Sequence, residues 1–304
     1  MRILLTGTSG QVGGALLPLL RGSHDVLAPN RAEFDLSDPN ALAATLDRFK
    51  PDLIINPAAY TAVDRAEDEP ELALRINAEA SARLARWAAR HEVPLVHFST
   101  DYVFDGSGET PWRETDPCRP LSSYGSSKWE GEKAIQASGA SHLIIRTSWV
   151  YAAHGANFLR TMNRLVRERD ELRVVADQFG APTSAPSIAE ALSAILARSA
   201  SATELVKDFA AAKGLVHLAN SGSTSWHGFA SAILEGLQAR GQPVKASAVH
   251  AITTKDFPTK AVRPANSRLD LSRLAQVFGV TTPSWQRALG RELDILVQRG
   301  QNSS

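Results

Sequence analysis

The chain has 304 residues, with 33 Lys and Arg against 32 Asp and Glu and a formal net charge of +1. A balance this even excludes the basic surface of a nucleic-acid or membrane binder, so any bound anion is expected to be small. A single cysteine, Cys118, excludes an internal disulfide, the eight scattered histidines form no Cys/His set of metal-ligand spacing, and no apolar run nears the ~20 residues of a membrane span; a reducing, cytoplasmic setting is expected.

The first apolar run, Ile3 to Leu5, reads as a strand and passes at once into Gly7-x-x-Gly10-Gln11-Val12-Gly13, followed by an apolar helical pattern. Strand, glycine turn and helix in that order form a nucleotide-binding context. The glycines let the backbone approach a pyrophosphate, and the helix start offers unpaired amides to it. The spacing differs from G-x-G-x-x-G, and no G-K-[ST] follows, which argues against a P-loop ATPase or GTPase. The next strand is expected over His24 to Ala28. An acid about 20 residues after the glycine turn would hold the adenosine ribose of NAD. Here the chain reads Asn30-Arg31, and an arginine can pair with a 2′-phosphate, so NADPH is predicted over NADH.

Further strands are expected at Leu53 to Asn56, Leu95 to Ser99 and His142 to Arg146, with helices over Ala41 to Phe49, Glu69 to His91 and from Tyr124 to Ser138. Strands alternating with helices predict an α/β fold with a doubly wound parallel sheet, whose ligand-binding edge lies at the carboxyl ends of the strands. In the last of these helices Tyr124 and Lys128 are one turn apart on the same face. An ammonium beside a phenol is expected to lower its pKa toward the range of a useful general acid. After Tyr151 the pattern is less regular. A helix is expected near Asn157 to Glu168, a loop over Asp177 to Thr183, a helix from Ser187 to Arg198, surface loops at Ser199 to Thr203 and Gly241 to Pro243, and a frayed tail over Arg299 to Ser304. The expected division is a dinucleotide-binding domain over 1–150, with later segments returning to it, and a smaller substrate-binding lobe mainly over 151–304, interleaved with it. Arg263 and Arg268 flank Pro264 to Ser267, and a guanidinium fork suits a diphosphate.

Gly7-x-x-Gly10-x-x-Gly13, Ser99-Thr100-Asp101-Tyr-Val-Phe-Asp105-Gly106 and Tyr124-x-x-x-Lys128 together resemble the extended short-chain dehydrogenase/reductase superfamily. The blocks Ala-Ala-Tyr60-Thr61-Ala-Val-Asp64, Arg146-Thr-Ser-Trp149-Val-Tyr151, Asp177-Gln-Phe-Gly-Ala-Pro-Thr183 and Arg263-Pro-Ala-Asn266-Ser-Arg268 narrow the resemblance to the dTDP-4-dehydrorhamnose reductase family. It implies that Thr100 holds the substrate carbonyl, Tyr124 protonates it, and Lys128 lowers the phenol pKa while binding the nicotinamide ribose. It further implies that Asp35 and Leu36 meet the adenine, that Ala59, Tyr60 and Thr61 run along the cofactor, and that Asp101 and Trp149 lie near a dTDP-sugar. The reaction implied is reduction of the C4 ketone of dTDP-4-dehydro-6-deoxy-L-mannose, with another sugar-nucleotide reductase or epimerase as the alternative. A regulatory subunit similar to the β subunit of methionine adenosyltransferase is the alternative from a different class. Magnesium, often described for the family, is left open and without assigned ligands, since Gly14-Ala15 offers no carboxylate there. A homodimer is the default assembly.

Overall fold

A computed structural model describes residues 1–38, 40–199 and 201–301 of the chain. Five parallel strands, β1 (Arg2–Leu5), β2 (Asp25–Leu27), β3 (Leu53–Asn56), β4 (Leu95–Thr100) and β5 (His142–Thr147), are joined at one edge by a sixth, Leu215–His217. From that edge the order is Leu215–His217, β5, β4, β3, β1, β2. The strands are short and β-branched or leucine-rich, and successive side chains alternate between two apolar layers. Ile3, Leu5, Leu53, Ile55, Val96 and Ile145 enter one. Leu4, Ile54, Leu95 and Ile144 enter the other.

Helix α1 (Gln11–Arg21) follows β1 and packs on the first layer with α8 (Ala185–Ala197). On the opposite face lie α2 (Leu42–Phe49), α5 (Ala80–Arg90) and α6 (Ser123–Gln136). Because β2 and β3 lie on opposite sides of β1, the chain reverses direction across the sheet there and opens a crevice at the carboxyl ends of β1 and β3.

The helix expected over Glu69 to His91 is not continuous. A short α3 (Val63–Ala66) precedes it, and α4 (Pro70–Leu74) then passes through a π-helical turn, Arg75–Glu79, into α5. The wider turn directs Asn77 inward, where its side chain accepts from the Tyr60 amide at 2.8 Å and donates to the Tyr60 carbonyl at 3.0 Å and to Ser127 Oγ at 2.9 Å. A Cβ at Gly131 would lie 2.3 Å from the Asn77 carbonyl oxygen, so only glycine lets α6 dock this closely.

The remaining residues build a second apolar cluster from α7 (Phe158–Glu168), the helices Trp226–Gln238 and Trp285–Gln301, and the parallel pair Glu171–Val175 and Ala248–Ile252. The expected loop over Asp177 to Thr183 includes Phe179–Gly180, which pairs with Asn266–Ser267 and Thr224–Ser225. Of the expected loop Ser199 to Thr203, Ala200 lies outside the described residues and a helix already starts at Ala202. The expected frayed tail is helical through Gln301, and residues 302–304 lie outside the described residues.

Candidate active site

The crevice is a cavity of about 820 Å³ running from the glycine turn to Thr147 to Val150. Gly7, Gly10, Gln11, Val12 and Gly13 line one end. Gly7 has φ +58°, and a Cβ there would sit 2.9 Å from Ala58 Cα, while one at Gly13 would sit 2.3 Å from the Gly7 carbonyl oxygen. The turn is therefore closed by backbone-to-backbone contact that side chains would prevent. Helix α1 starts at Gly10 without a side-chain cap, leaving its first amides for an anion. These features fit a dinucleotide pyrophosphate.

Asn30, Arg31, Asp35 and Leu36 line the far rim. The Asn30 side chain accepts from the amides of Ala32 and Glu33 and shapes the bend, and Arg31 is exposed with Asp35 at 3.7 Å. Asp35 also accepts from the Ser37 amide, the main cause of a carboxyl pKa below its usual range. Ala59 and Thr61 line the wall, but Tyr60 does not: its hydroxyl donates to Glu69 at 2.6 Å, and its backbone is held by Asn77.

At the opposite end Thr100 closes β4, and its hydroxyl accepts from the Tyr102 amide and donates to Asp101 at 3.1 Å, with Tyr124 on the same stretch of the cavity lining. Tyr124 sits in the first turn of α6, started by the Ser122 hydroxyl accepting from the Gly125 amide. Gly125 lets that turn press on β4's continuation, since a Cβ there would meet the Tyr102 carbonyl oxygen at 2.2 Å. Tyr102 packs edge-on against Tyr124, with 5.5 Å between ring centroids. The expected lowering of the phenol pKa is not found. Burial pushes it up to about 12, with the Asp101 charge adding to the rise and the Thr100 hydroxyl opposing it. Lys128 shares the helix face, but its ammonium turns to the Phe98 carbonyl, 2.6 Å away, and to His97 Nε2, 3.2 Å away. Burial lowers its own pKa to about 8.

Asp101 is 2 % exposed, and burial raises its carboxyl to about 6, against hydrogen bonds from Ser267 and Thr100. Its Oδ2 has no hydrogen-bond partner, nor have the hydroxyls of Ser99 and Thr147 on the same wall. Unpartnered buried polar atoms facing one cavity are sites for a polar ligand. Trp149 also lines it, in the left-handed region at φ +48° and stacked on Trp226 with 3.7 Å between centroids. That conformation is strained for a bulky residue. Gly180 makes room for it, since a Cβ there would come within 2.7 Å of the indole. Trp226 was not singled out in the sequence, because nothing local marks it as Trp149's partner.

The two arginines expected to grip a diphosphate do not line this cavity. Arg263 donates to Asp64 at 2.7 Å, so its charge is already neutralised. Arg268 lies over the Phe179 ring, 5.2 Å from its centroid. No group of three or more His, Cys, Asp or Glu that could hold a metal ion occurs among the described residues, so magnesium gains no ligands here. Nor is any described helix long and apolar enough to cross a membrane.

The sequence model of the family described as "RmlD substrate binding domain" matches residues 1–298. A dTDP-4-dehydrorhamnose reductase of Shigella flexneri is 42% identical over 302 residues, covering 97% of this chain and 98% of its own. One of Burkholderia thailandensis is 45% identical over 95% of this chain and 97% of its own. The crystal structure of the Clostridium acetobutylicum enzyme superposes with a TM-score of 0.87 at 34% identity, covering 97% and 99% of the two chains. That of Bacillus anthracis dTDP-4-dehydrorhamnose reductase, in complex with NADP, does so at 0.85 and 32% identity, covering 96% and 98%. With the glycine turn, the Thr100, Tyr124 and Lys128 cluster and near end-to-end similarity in agreement, the chain belongs to the dTDP-4-dehydrorhamnose reductase family.

Proposed function

We propose that this protein reduces the C4 ketone of dTDP-4-dehydro-6-deoxy-L-mannose with NADPH to give dTDP-L-rhamnose. The observation that carries the reading is the junction of β4 and α6, where Thr100 and Tyr124 line one end of a cavity whose other end is a glycine turn too tight for side chains. Bound along the cavity, the nicotinamide group would supply the hydride. Thr100 holds the carbonyl oxygen, and Tyr124 gives its proton to the developing alkoxide. A phenol near 12 is fully protonated at neutral pH, the state an acid needs. Lys128 would offer its cation to the nicotinamide ribose, and Asp101 and the stacked Trp149–Trp226 pair, on the same cavity lining, would meet the sugar. Arg31, exposed at the rim, meets the 2′-phosphate. The Bacillus anthracis relative's NADP supports that cofactor.

Loss of reduced-nicotinamide absorbance with enzymatically made dTDP-4-dehydro-L-rhamnose, and dTDP-L-rhamnose as product, tests the reading. Tyr124→Phe keeps the fold and NADPH binding but lowers kcat by about 10²- to 10⁴-fold. An unchanged kcat removes the phenol from the mechanism. A folded wild type that binds NADPH and leaves it unoxidised refutes the substrate.

A further inference from the structure

Where the sheet meets the cavity, whose lining includes Thr6 and Lys128, the inward positions of three neighbouring strands turn polar. Thr6 follows β1, Asn56 ends β3, and His97 stands beside Asn56 in the parallel register of β4. They are 2 %, 1 % and 1 % exposed. Two residues earlier on the same face the three strands carry Leu4, Ile54 and Leu95, all in the apolar core. The polar residues are bonded in series. Thr6 Oγ1 donates to Asn56 Oδ1 at 2.6 Å, Asn56 Nδ2 lies 3.2 Å from His97 Nδ1, and His97 Nε2 lies 3.2 Å from Lys128 Nζ. Thr6 Oγ1 also accepts from the Ala58 amide at 3.3 Å, and Lys128 donates to the Phe98 carbonyl. Fully buried polar groups are costly unless each is satisfied, and apolar side chains fill the row beneath, so the sheet does not need this one to fold.

The proton arrangement along the row depends on the charge of Lys128. An ammonium has donors only, so it requires the lone pair of Nε2; the imidazole proton is then on Nδ1 and faces the Asn56 carbonyl. A neutral amine instead accepts from Nε2–H, and Nδ1 accepts from the Asn56 amide while Thr6 donates to its carbonyl, which is the amide orientation given above; with the ammonium the Asn56 amide is turned, so that its nitrogen donates to Thr6. Turning one side-chain amide accommodates either state. The other titratable groups acting here are Glu132, one turn along α6, which favours the ammonium, and His142 of β5, which with burial and Lys128 holds His97 neutral.

We propose that His97, backed by Asn56 and Thr6, is the positioning residue for Lys128: it fixes Nζ against the Phe98 carbonyl and gives the ammonium a buried acceptor that keeps it charged at neutral pH. The inference rests on the reading that Lys128 serves the reduction. Its test is the NMR titration of Lys128 in 13C-lysine-labelled protein, assigned against Lys128→Met, in wild type, His97→Leu and His97→Gln. Leucine removes the acceptor, so burial drives the amine form and Lys128 titrates lower by about one pH unit or more. The basic limb of kcat moves down with it, and kcat at pH 8 falls by about 5-fold for a shift of one unit and about 50-fold for two. Glutamine, whose amide oxygen can accept, restores both. A folded His97→Leu enzyme with the wild-type Lys128 titration overturns the proposal and leaves His97 a core filler. Should that variant not fold, Asn56→Leu, which keeps the imidazole but removes its support, carries the same titration with the same two outcomes. The titration needs no turnover, so a wild type inactive on the dTDP-sugar would refute the function while leaving the role of His97 readable.

Discussion

Asp101→Asn should make the protein more stable and less active. Burial raises the Asp101 carboxyl from an ordinary value of 3.8 to about 6. The folded state therefore binds a proton more tightly than the unfolded chain, and stability is lost as pH rises from about 4 to about 6. Above that range the ionised carboxylate carries a full penalty, and the difference between 3.8 and about 6 corresponds to about 3 kcal/mol. Asparagine keeps an oxygen for the Thr100 hydroxyl and replaces the unpartnered Oδ2 with a neutral amide nitrogen. Part of the gain is lost because that nitrogen also lacks a partner, so about 1–3 kcal/mol is expected at pH 7.5. Urea denaturation of both proteins at pH 4, 5, 6 and 7.5 isolates the effect as a difference, since every other titrating group is common to the two. The gap should be near zero at pH 4 and open toward pH 6. A gap that is absent at pH 7.5, or constant with pH, would refute the claim that the carboxylate is held at a cost. On the proposed reading turnover should fall in the same variant, because the carboxylate that would face the sugar is lost.

Gly13→Ala puts a Cβ 2.3 Å from the Gly7 carbonyl oxygen, so the turn must open and NADPH affinity should fall at least tenfold in a fluorescence titration, with a lower melting temperature because the clashing atoms are backbone. Arg31→Ala should weaken NADPH by about 10-fold or more and leave NADH binding unaltered, since only the 2′-phosphate is lost as a partner; equal effects on both cofactors would place Arg31 elsewhere. Arg146→Met abandons Glu132, 0 % exposed and bonded at 2.6 Å, and should cost about 3–5 kcal/mol in chemical denaturation. A smaller cost would mean that Glu132 takes up a proton instead.

The parts of the site that were legible in the sequence are those whose chemistry is local. A glycine turn between strand and helix announces itself because φ +58° favours glycine at Gly7 and the backbone contacts at Gly7 and Gly13 leave no room for a Cβ. Thr100 and Tyr124 were legible because each sits at the end of a readable element. The illegible parts depend on partners distant in sequence. Arg263 meets Asp64 across 199 positions, and nothing in either segment shows that the guanidinium is already engaged. The π-helical turn at Asn77 interrupts a 3.6-residue periodicity without changing residue type, so the pattern alone shows one helix. The strand Leu215–His217 is three residues long, too short for an alternation to be recognised.

Tyr124 and Lys128 show why a correct spacing can still give the wrong electrostatics. Position i,i+4 brings two side chains to one face, but a lysine stem is long enough to carry its charge to another partner. Here that partner is the end of β4, where the Phe98 carbonyl and His97 hold the ammonium. Burial then raises the phenol and lowers the lysine, so their pKa values move to about 12 and about 8. The consequence runs opposite to the simple acid-activation picture. As pH rises, Lys128 should lose its charge well before Tyr124 loses its proton, so on the proposed reading the basic limb of turnover follows the lysine. On that reading the pH sensitivity of the reaction lies with Lys128 and the polar row that holds it, while the buried Tyr124 phenol stays protonated.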